Sequence, residues 1–172
     1  MTLTTAVEIR KPLLEDGKKI WRLIKETKVL DLNSAYYYTI LCKYFTDTCV
    51  VAEENGEIVG FISAFREPTE MRSIFVWQVA VDQSQRGKGL ASSLLQGLLK
   101  RKECSDINYL DTTISPSNEA SKALFQKLAN TLKTKMVETE ILHPSLFPNE
   151  NHELEQTYRI GPFHQELGGG KQ

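Results

Sequence analysis

The first part of the chain carries hydrophobic patterns of both strand and helix type. Residues 6–10 alternate apolar and polar side chains before Pro12, which predicts a short strand at a sheet edge. Apolar residues recur at helical spacing over 18–28, and a second periodic run follows the polar residues 31–34. We therefore expect two helices, the second short and aromatic. The residues expected on the buried face of that second helix are Tyr37, Ile40, Leu41 and Tyr44.

The middle of the chain predicts a hairpin followed by a buried strand. Asn55-Gly56 separates two apolar runs, 49–53 and 58–65, and Asn-Gly favours the type I′ turn of a two-residue hairpin. The next run, 74–81, is apolar on both alternating faces, which predicts a strand covered on both sides.

The second half of the chain alternates strand and helix patterns. An amphipathic helix from Leu90 is followed by a strand over 108–113 and a helix over 117–129. This order predicts a right-handed crossover with parallel neighbouring strands. Two further strands are expected, over 133–142 and 158–160. The pattern as a whole predicts an α/β fold.

Length and charge narrow the classes of function. A chain of 172 residues with 41% hydrophobic residues fits one globular domain over residues 1–172, with 164–172 as a frayed tail. The net charge of −1 excludes a generally basic nucleic-acid binder, so an anionic ligand must meet a local cluster of donors. No run approaches the length of a membrane span, and the start lacks a secretory pattern, so we expect a cytoplasmic protein.

The cysteines indicate neither a disulfide framework nor a metal site. Cys42, Cys49 and Cys104 are odd in number, lack CxxC spacing and have no histidine at ligand spacing. We expect reduced thiols and no bound metal.

The segment from Val79 to Ala91 carries the clearest candidate chemistry. An apolar strand passes through a polar, glycine-containing turn into a helix, where backbone N–H groups at the helix start can receive a phosphate. Arg86 and Lys88 add positive charge, while Gly87 and Gly89 let the backbone approach closely. The alternative is a turn that only joins strand to helix.

The spacing Arg86-x-x-Gly89-x-Ala91 resembles the pyrophosphate-binding motif of the GNAT family of N-acetyltransferases. The resemblance implies a mixed central sheet of about six to seven strands with flanking helices and a splayed wedge for acetyl-CoA. Backbone groups of Val79 and Val81 would bond the pantetheine arm and polarise the thioester. The residues that the resemblance places on the cofactor in this segment are Val79, Val81, Arg86, Gly87, Lys88, Gly89, Leu90 and Ala91.

A later segment resembles the second cofactor-binding part of the same family. The matching residues are Asn118, Ser121 and Phe125. The family usually has Tyr at the last of these positions as the acid for the leaving thiolate, and Phe125 has no proton to give. The thiolate must then leave unprotonated or take its proton from water or another residue. The alternative for Asn118 is a helix cap.

Four segments, around 31–38, 75–81, 111–118 and 152–162, resemble a branch of the family that acetylates the γ-amino group of L-2,4-diaminobutyrate for ectoine biosynthesis. A substrate with two ammonium groups and a carboxylate needs carboxylates, hydroxyls or aromatic faces around it. The candidate substrate-binding residues are Asp31, Asn33, Tyr36, Tyr38, Trp77, Thr112 and Glu155. Asp31 and Asn33 could instead be helix caps, and Trp77 could instead pack in a core.

Three residues are candidates for the base that deprotonates the amine. His152 and Glu155 lie three residues apart, so one turn would place them on one side, and Asp31 or Glu155 could act through water. The alternative for His152 is a solvated loop residue. We expect direct attack in a ternary complex, because no Ser/His/Asp or Cys/His arrangement is evident. Family analogy adds a homodimer.

Two rival functions stay open at this point. The same fold could acetylate another amine, such as a peptide N-terminus, a lysine or a polyamine. The absence of Tyr at Phe125 also fits a sensor that binds acyl-CoA without catalysis.

Overall fold

The computed structural model describes residues 6–149 and 151–164 and shows, within them, four helices and a seven-stranded mixed sheet. The predicted α/β class and strand number are thus confirmed. Of the predicted tail, all but His164 lies outside the described residues. The strands are β1 (Glu8–Arg10), β2 (Val50–Glu54), β3 (Glu57–Glu67), β4 (Glu70–Val81), β5 (Tyr109–Ile114), β6 (Met136–Leu142) and β7 (Glu155–Ile160). The helices are α1 (Gly17–Thr27), α2 (Ala35–Tyr44), α3 (Leu90–Leu99) and α4 (Glu119–Thr131).

The strand order in the sheet is β1-β2-β3-β4-β5-β7-β6. The predicted parallel pair is present, since β4 and β5 run parallel from Ser73 opposite Tyr109 to Val76 opposite Thr112. The chain divides into two compact units. The first contains the residues up to Phe65 together with Gln78–Cys104. The second contains Arg66–Trp77 and the residues after Cys104. The single domain expected from the sequence stays a prediction.

The first unit follows the sequence patterns closely in its hairpin and first helix. Asn55 and Gly56 both have positive φ, at 53° and 81°, as a type I′ turn requires. In α1 the buried residues include Ile20, Leu23 and Ile24, the predicted apolar stripe.

The predicted buried face of α2 is right for Leu41, and Tyr37 packs against the core, but it is wrong for Tyr44. The helix buries Tyr38, Leu41 and Cys42, while Tyr44 is 66% exposed. The segment AYYYTILCKY is apolar or aromatic on most sides, so helical spacing fits two neighbouring faces almost equally well. Packing selects the face in which Tyr38 lies edge-on to Phe61, with ring centroids 6.2 Å apart.

The predicted covering of β4 is also wrong. One face of the strand is buried and the other is partly open, with Trp77 52% exposed. The buried residues are Ser73, Ile74, Val76, Gln78 and Ala80, and those not fully buried from Phe75 onward are Phe75, Trp77, Val79 and Val81. An open face so apolar is typical of a strand that meets a ligand or partner rather than a second layer of core.

A charge cluster fastens the strands of the second unit. Arg159 on β7 bonds both carboxylate oxygens of Asp111, at 2.9 and 2.7 Å, and both of Glu70, at 3.2 and 2.7 Å. Glu67 lies against Asp111, and its Oε1 atom is shielded from solvent. Burial, followed by the hydrogen bond and charge of Asp111, raises the pKa of Glu67 to about 7. The Glu67 carboxyl group is therefore largely protonated below neutral pH.

The raised pKa of Glu67 makes the stability of the protein fall as pH rises. The Glu67 contribution is fully present below its ordinary pKa of 4.5 and is lost as pH rises through about 7. Glu67→Gln places a permanent donor beside Asp111, so we expect a higher melting temperature than wild type at about pH 8 and no gain at about pH 4.5. Thermal unfolding monitored by circular dichroism checks this.

The matched control is Asp106→Asn, another acid-to-amide change in the second unit. Arg66 hydrogen-bonds Asp106 and lowers the pKa of that carboxyl, so its removal should give no gain at high pH. Equal gains for the two variants at high pH, or none for Glu67→Gln, would contradict the raised pKa of Glu67.

Candidate functional site

The turn after β4 in the first unit is held open by side chains on its inner side. Asp82 accepts hydrogen bonds from the Ser84 backbone N–H at 2.9 Å and from its hydroxyl at 2.5 Å. Gln85 is buried and donates to Glu54 at 2.8 Å. The next four residues, 86–89, are exposed. Arg86 and Lys88 therefore present their charges to solvent beside the start of α3.

The backbone of this turn fits an anion. Gly87 and Gly89 have φ of 74° and 75°, and apart from their neighbours in the chain no described residue has an atom within 4 Å of a Cβ added to either. Within the described residues no side chain caps α3, whereas Ser34 caps α2 and Asn118 caps α4. The first-turn N–H groups of α3 thus have no side-chain acceptor among the described residues and lie at the positive end of a helix dipole, which suits a phosphate group.

Asp31 and Asn33 do not cap α2. Ser34 Oγ accepts the Tyr37 N–H at 3.2 Å, so the alternative role of Asp31 and Asn33 as helix caps does not apply. Asp31 is exposed, and its backbone carbonyl accepts a hydrogen bond from Gln78 Nε2 at 2.8 Å. The Asp31 carboxylate is thus accessible to a cation.

The two tyrosines expected on a cleft have different environments. Tyr36 is 74% exposed, whereas Tyr38 has no exposed surface, so its expected position on an open face is wrong. The Tyr38 hydroxyl donates to Gln78 Oε1 at 3.1 Å and accepts from the Asn33 N–H at 3.4 Å. Gln78 was not among the residues predicted from the sequence. The available signal was a glutamine at a buried position of an otherwise apolar strand.

In the second unit, Trp77 and Thr112 lie on neighbouring parallel strands with different exposure. Trp77 is 52% exposed, so the alternative of a core tryptophan does not apply. Thr112 is buried, and its hydroxyl donates to the Val76 carbonyl at 3.0 Å. The Thr112 hydroxyl is therefore engaged in a hydrogen bond that links β5 to β4.

The start of α4 shows the capping alternative for Asn118. Its Oδ1 atom accepts the Ser121 N–H at 3.1 Å, so the side chain caps the helix. Phe125, on the buried face of α4, is 2% exposed. Its ring offers no acidic proton, as expected from the sequence.

The segment with His152 and Glu155 is extended rather than a helical turn. Glu155 begins β7, so the expected placement of the two side chains by one turn is wrong. The His152 ring stacks on Phe147 with centroids 3.8 Å apart, and its Nδ1 lies 2.5 Å from the Glu153 carbonyl oxygen. A carbonyl oxygen only accepts, so Nδ1 is the donor of this contact, and Nε2 is the ring nitrogen with which a neutral imidazole would accept a proton. The Glu153 carboxylate in turn holds Ser117 through N and Oγ, at 2.9 and 2.6 Å.

Other candidate chemistries find no support in the part of the chain described. Cys42, Cys49 and Cys104 are buried thiols, and burial raises the pKa of Cys42 to about 12 and that of Cys49 to about 11. Residues 6–149 and 151–164 contain no group of three His, Cys, Asp or Glu able to hold a metal ion. None of the helices in these ranges is long and apolar enough to cross a bilayer.

Comparison with known proteins identifies the family. The model of the acetyltransferase (GNAT) family matches residues 17–129. The chain belongs to the GNAT acetyltransferase family. It is 54% identical over 153 residues to the L-2,4-diaminobutyric acid acetyltransferase of Marinococcus halophilus, covering 89% of this chain and 88% of that one. It is 52% identical over 163 residues to the enzyme of that name from Halalkalibacterium halodurans, covering 95% and 86%.

A solved structure agrees with both sequence relatives. The chain superimposes with a TM-score of 0.89 and 45% identity on the diaminobutyrate acetyltransferase EctA from Paenibacillus lautus, covering 95% of this chain and 99% of that one. That structure contains L-2,4-diaminobutyric acid, its substrate, and coenzyme A. This GNAT protein is therefore an acetyltransferase with acetyl-CoA as its donor, and the fold and family expected from Arg86-x-x-Gly89-x-Ala91 are confirmed.

Two variants of Asn118 can separate its capping of α4 from the expected contact of its side chain with the cofactor. Asn118→Ala removes the acceptor for Ser121, so we expect a loss of about 1 kcal/mol in the free energy of unfolding. Asn118→Asp keeps an oxygen at that position and should retain the stability. Denaturant unfolding checks both variants. Equal losses for both would contradict the capping role, and weakened coenzyme A binding in Asn118→Asp would indicate an added contact through the amide.

Proposed function

We propose that the protein transfers the acetyl group of acetyl-CoA to the γ-amino group of L-2,4-diaminobutyrate, a step of ectoine biosynthesis. The observation that carries the proposal is the 45% identity and TM-score of 0.89 to a structure bound to that amino acid and coenzyme A. The two sequence relatives of 52% and 54% identity carry the same name, which supports the same substrate.

The chemistry is a direct acyl transfer. The amine lone pair attacks the thioester carbonyl carbon, the C–N bond forms, and the C–S bond breaks to release coenzyme A as the thiolate. An alkyl ammonium with a pKa near 10 must first lose its proton, so a base accelerates the reaction. His152, Asp31 and Glu155 stay the candidates. His152 is favoured because its Nδ1 is engaged with the Glu153 carbonyl, which leaves Nε2 as the nitrogen with which a neutral ring would accept the proton of the amine.

The residues we propose as substrate contacts in each unit are those expected from the sequence. In the first unit Asp31, with Asn33, Tyr36 and Tyr38 nearby, is the partner for an ammonium group. Trp77, Thr112 and Glu155 are the candidates in the second unit. Because the Tyr38 and Thr112 hydroxyls are engaged within the fold, we assign these two a supporting role.

The donor contacts are likewise proposed by unit. In the first unit the open turn and the start of α3 would bind the pyrophosphate, and the strand before them the pantetheine arm. The residues concerned are Val79, Val81, Arg86, Gly87, Lys88, Gly89, Leu90 and Ala91. In the second unit the candidates are Asn118, Ser121 and Phe125. A buried Phe125 leaves the thiolate to be protonated by solvent or another group.

Two further expectations stay proposals. A homodimer fits the exposed apolar residues Val137 and Ile141 of edge strand β6, which are 51% and 55% exposed. Sedimentation velocity would test it. A cytoplasmic location fits a biosynthetic step and would be tested by cell fractionation.

The substrate proposal predicts a ranking of amines. Release of coenzyme A thiol should be fastest with diaminobutyrate when it is compared with diaminopropionate, ornithine, lysine and spermidine, and NMR should place the acetyl group on the γ nitrogen. Faster turnover on another amine would overturn the substrate. Binding of acetyl-CoA without turnover on any amine would instead favour the sensor.

The phosphate site predicts a specific effect of Gly89→Trp. The bulky side chain covers the start of α3, so the Kd for coenzyme A should rise roughly tenfold or more as donor contacts are lost. Isothermal titration calorimetry measures it. Gly56→Trp is the matched control, because Gly56 also has positive φ, at 81°, with no described atom near its added Cβ. Unchanged affinity in Gly89→Trp, or an equal loss in Gly56→Trp, would refute the placement.

A further inference from the structure

A buried glutamine in the first unit lies beside the residues proposed to bind both substrates. Gln78 is 6% exposed and directly precedes Val79 on β4. Its side-chain Nε2 donates to the Asp31 backbone carbonyl at 2.8 Å, and its Oε1 accepts from the Tyr38 hydroxyl at 3.1 Å. Its backbone N–H donates to Ser63 Oγ at 3.0 Å.

The same network reaches the segment before α2 at a second point. The Tyr38 hydroxyl, which donates to Gln78, also accepts the Asn33 backbone N–H at 3.4 Å. Residues 31 and 33 are thus held through their backbones, while the Asp31 side chain is left exposed. Backbone anchoring of this kind fixes where a carboxylate lies without occupying it.

The cost of burying these groups indicates how firmly the segment is held. An amide and a phenol inside an apolar core are tolerated when their donors and acceptors are satisfied, and removing one partner leaves the other unpaired. Tyr38 has no exposed surface and Gln78 almost none. If residues 31–33 moved away from β4, the Gln78 amide and the Tyr38 hydroxyl would each lose a hydrogen-bond partner inside the core.

We infer that Gln78 and Tyr38 are positioning residues that hold the Asp31 carboxylate in place for the amine substrate. The inference rests on the proposed function, since it takes Asp31 as a partner of the amine. Both residues act through the backbone of residues 31–33 and touch neither substrate. Their loss should weaken amine binding more than acetyl-CoA binding.

The test compares Gln78→Met and Tyr38→Phe with Ser63→Ala. The first two keep the side-chain volume but break the link to residues 31–33, so the KM for diaminobutyrate should rise roughly tenfold with the KM for acetyl-CoA unchanged. Ser63→Ala removes a buried bond to the same glutamine and leaves the link intact. Its KM for diaminobutyrate should match wild type.

A conservative variant adds a readout that a purely structural role would not move. In Gln78→Glu the ionised side chain has no proton to donate to the Asp31 carbonyl, but the protonated side chain has one. Burial raises the pKa of such a carboxyl, so the variant-to-wild-type ratio of KM for diaminobutyrate should fall as pH is lowered from about 9 to about 6. A pH-independent ratio would contradict the positioning role.

Hydrogen exchange separates failure of this inference from failure of the proposed function. The Asn33 amide, bonded to Tyr38, should exchange faster in Gln78→Met and Tyr38→Phe than in wild type or Ser63→Ala, whatever the substrate. A wild-type protein that is inactive on diaminobutyrate would contradict only the proposed function. The inference would be contradicted if the wild type were active and Gln78→Met matched Ser63→Ala in both its KM for diaminobutyrate and the hydrogen exchange of the Asn33 amide.

Discussion

Backbone N–H groups at the start of an α-helix need an acceptor from outside the helix, and in α3 the protein leaves this need open. Helices α2 and α4 take side-chain caps from Ser34 and Asn118, whereas α1, like α3, has no side-chain cap. At α3 two glycines with positive φ turn the chain, and Asp82 and Gln85 fix the inner side of that turn. An anionic ligand that completes this helix gains hydrogen bonds and a favourable dipole together. The donor acetyl-CoA carries such phosphates.

Strand β4 uses its two faces for different purposes. Gln78 and Ala80 are buried, while Val79 and Val81 are partly accessible. Because side chains alternate along a strand, one residue can anchor the segment before α2 while its neighbour keeps its backbone beside the proposed donor site. A glutamine is well suited to this position, since its amide both donates and accepts and so satisfies Asp31 and Tyr38 at once.

Local rules predicted the parts of the fold that depend on local sequence. The Asn55-Gly56 turn, the helix from Leu90 and the parallel β4–β5 pair each follow from short-range geometry and handedness. The buried face of α2 could not be predicted, because its aromatic residues surround the helix and long-range packing alone selects Tyr38. The turn at Gly87 and Gly89 was predictable, and its role as the donor site stays a prediction. Gln78 was not, because its partners lie far away along the chain.

The most direct test follows the backbone amides of the turn as coenzyme A binds. In ¹⁵N-labelled protein we expect the largest downfield shifts at the amides of residues 87–91, because new hydrogen bonds to phosphate deshield these protons. Dephosphorylated pantetheine, which lacks the pyrophosphate, should leave them in place. Saturating coenzyme A that shifts other amides but not these would show that the phosphates bind elsewhere and that the open helix start is not the donor site.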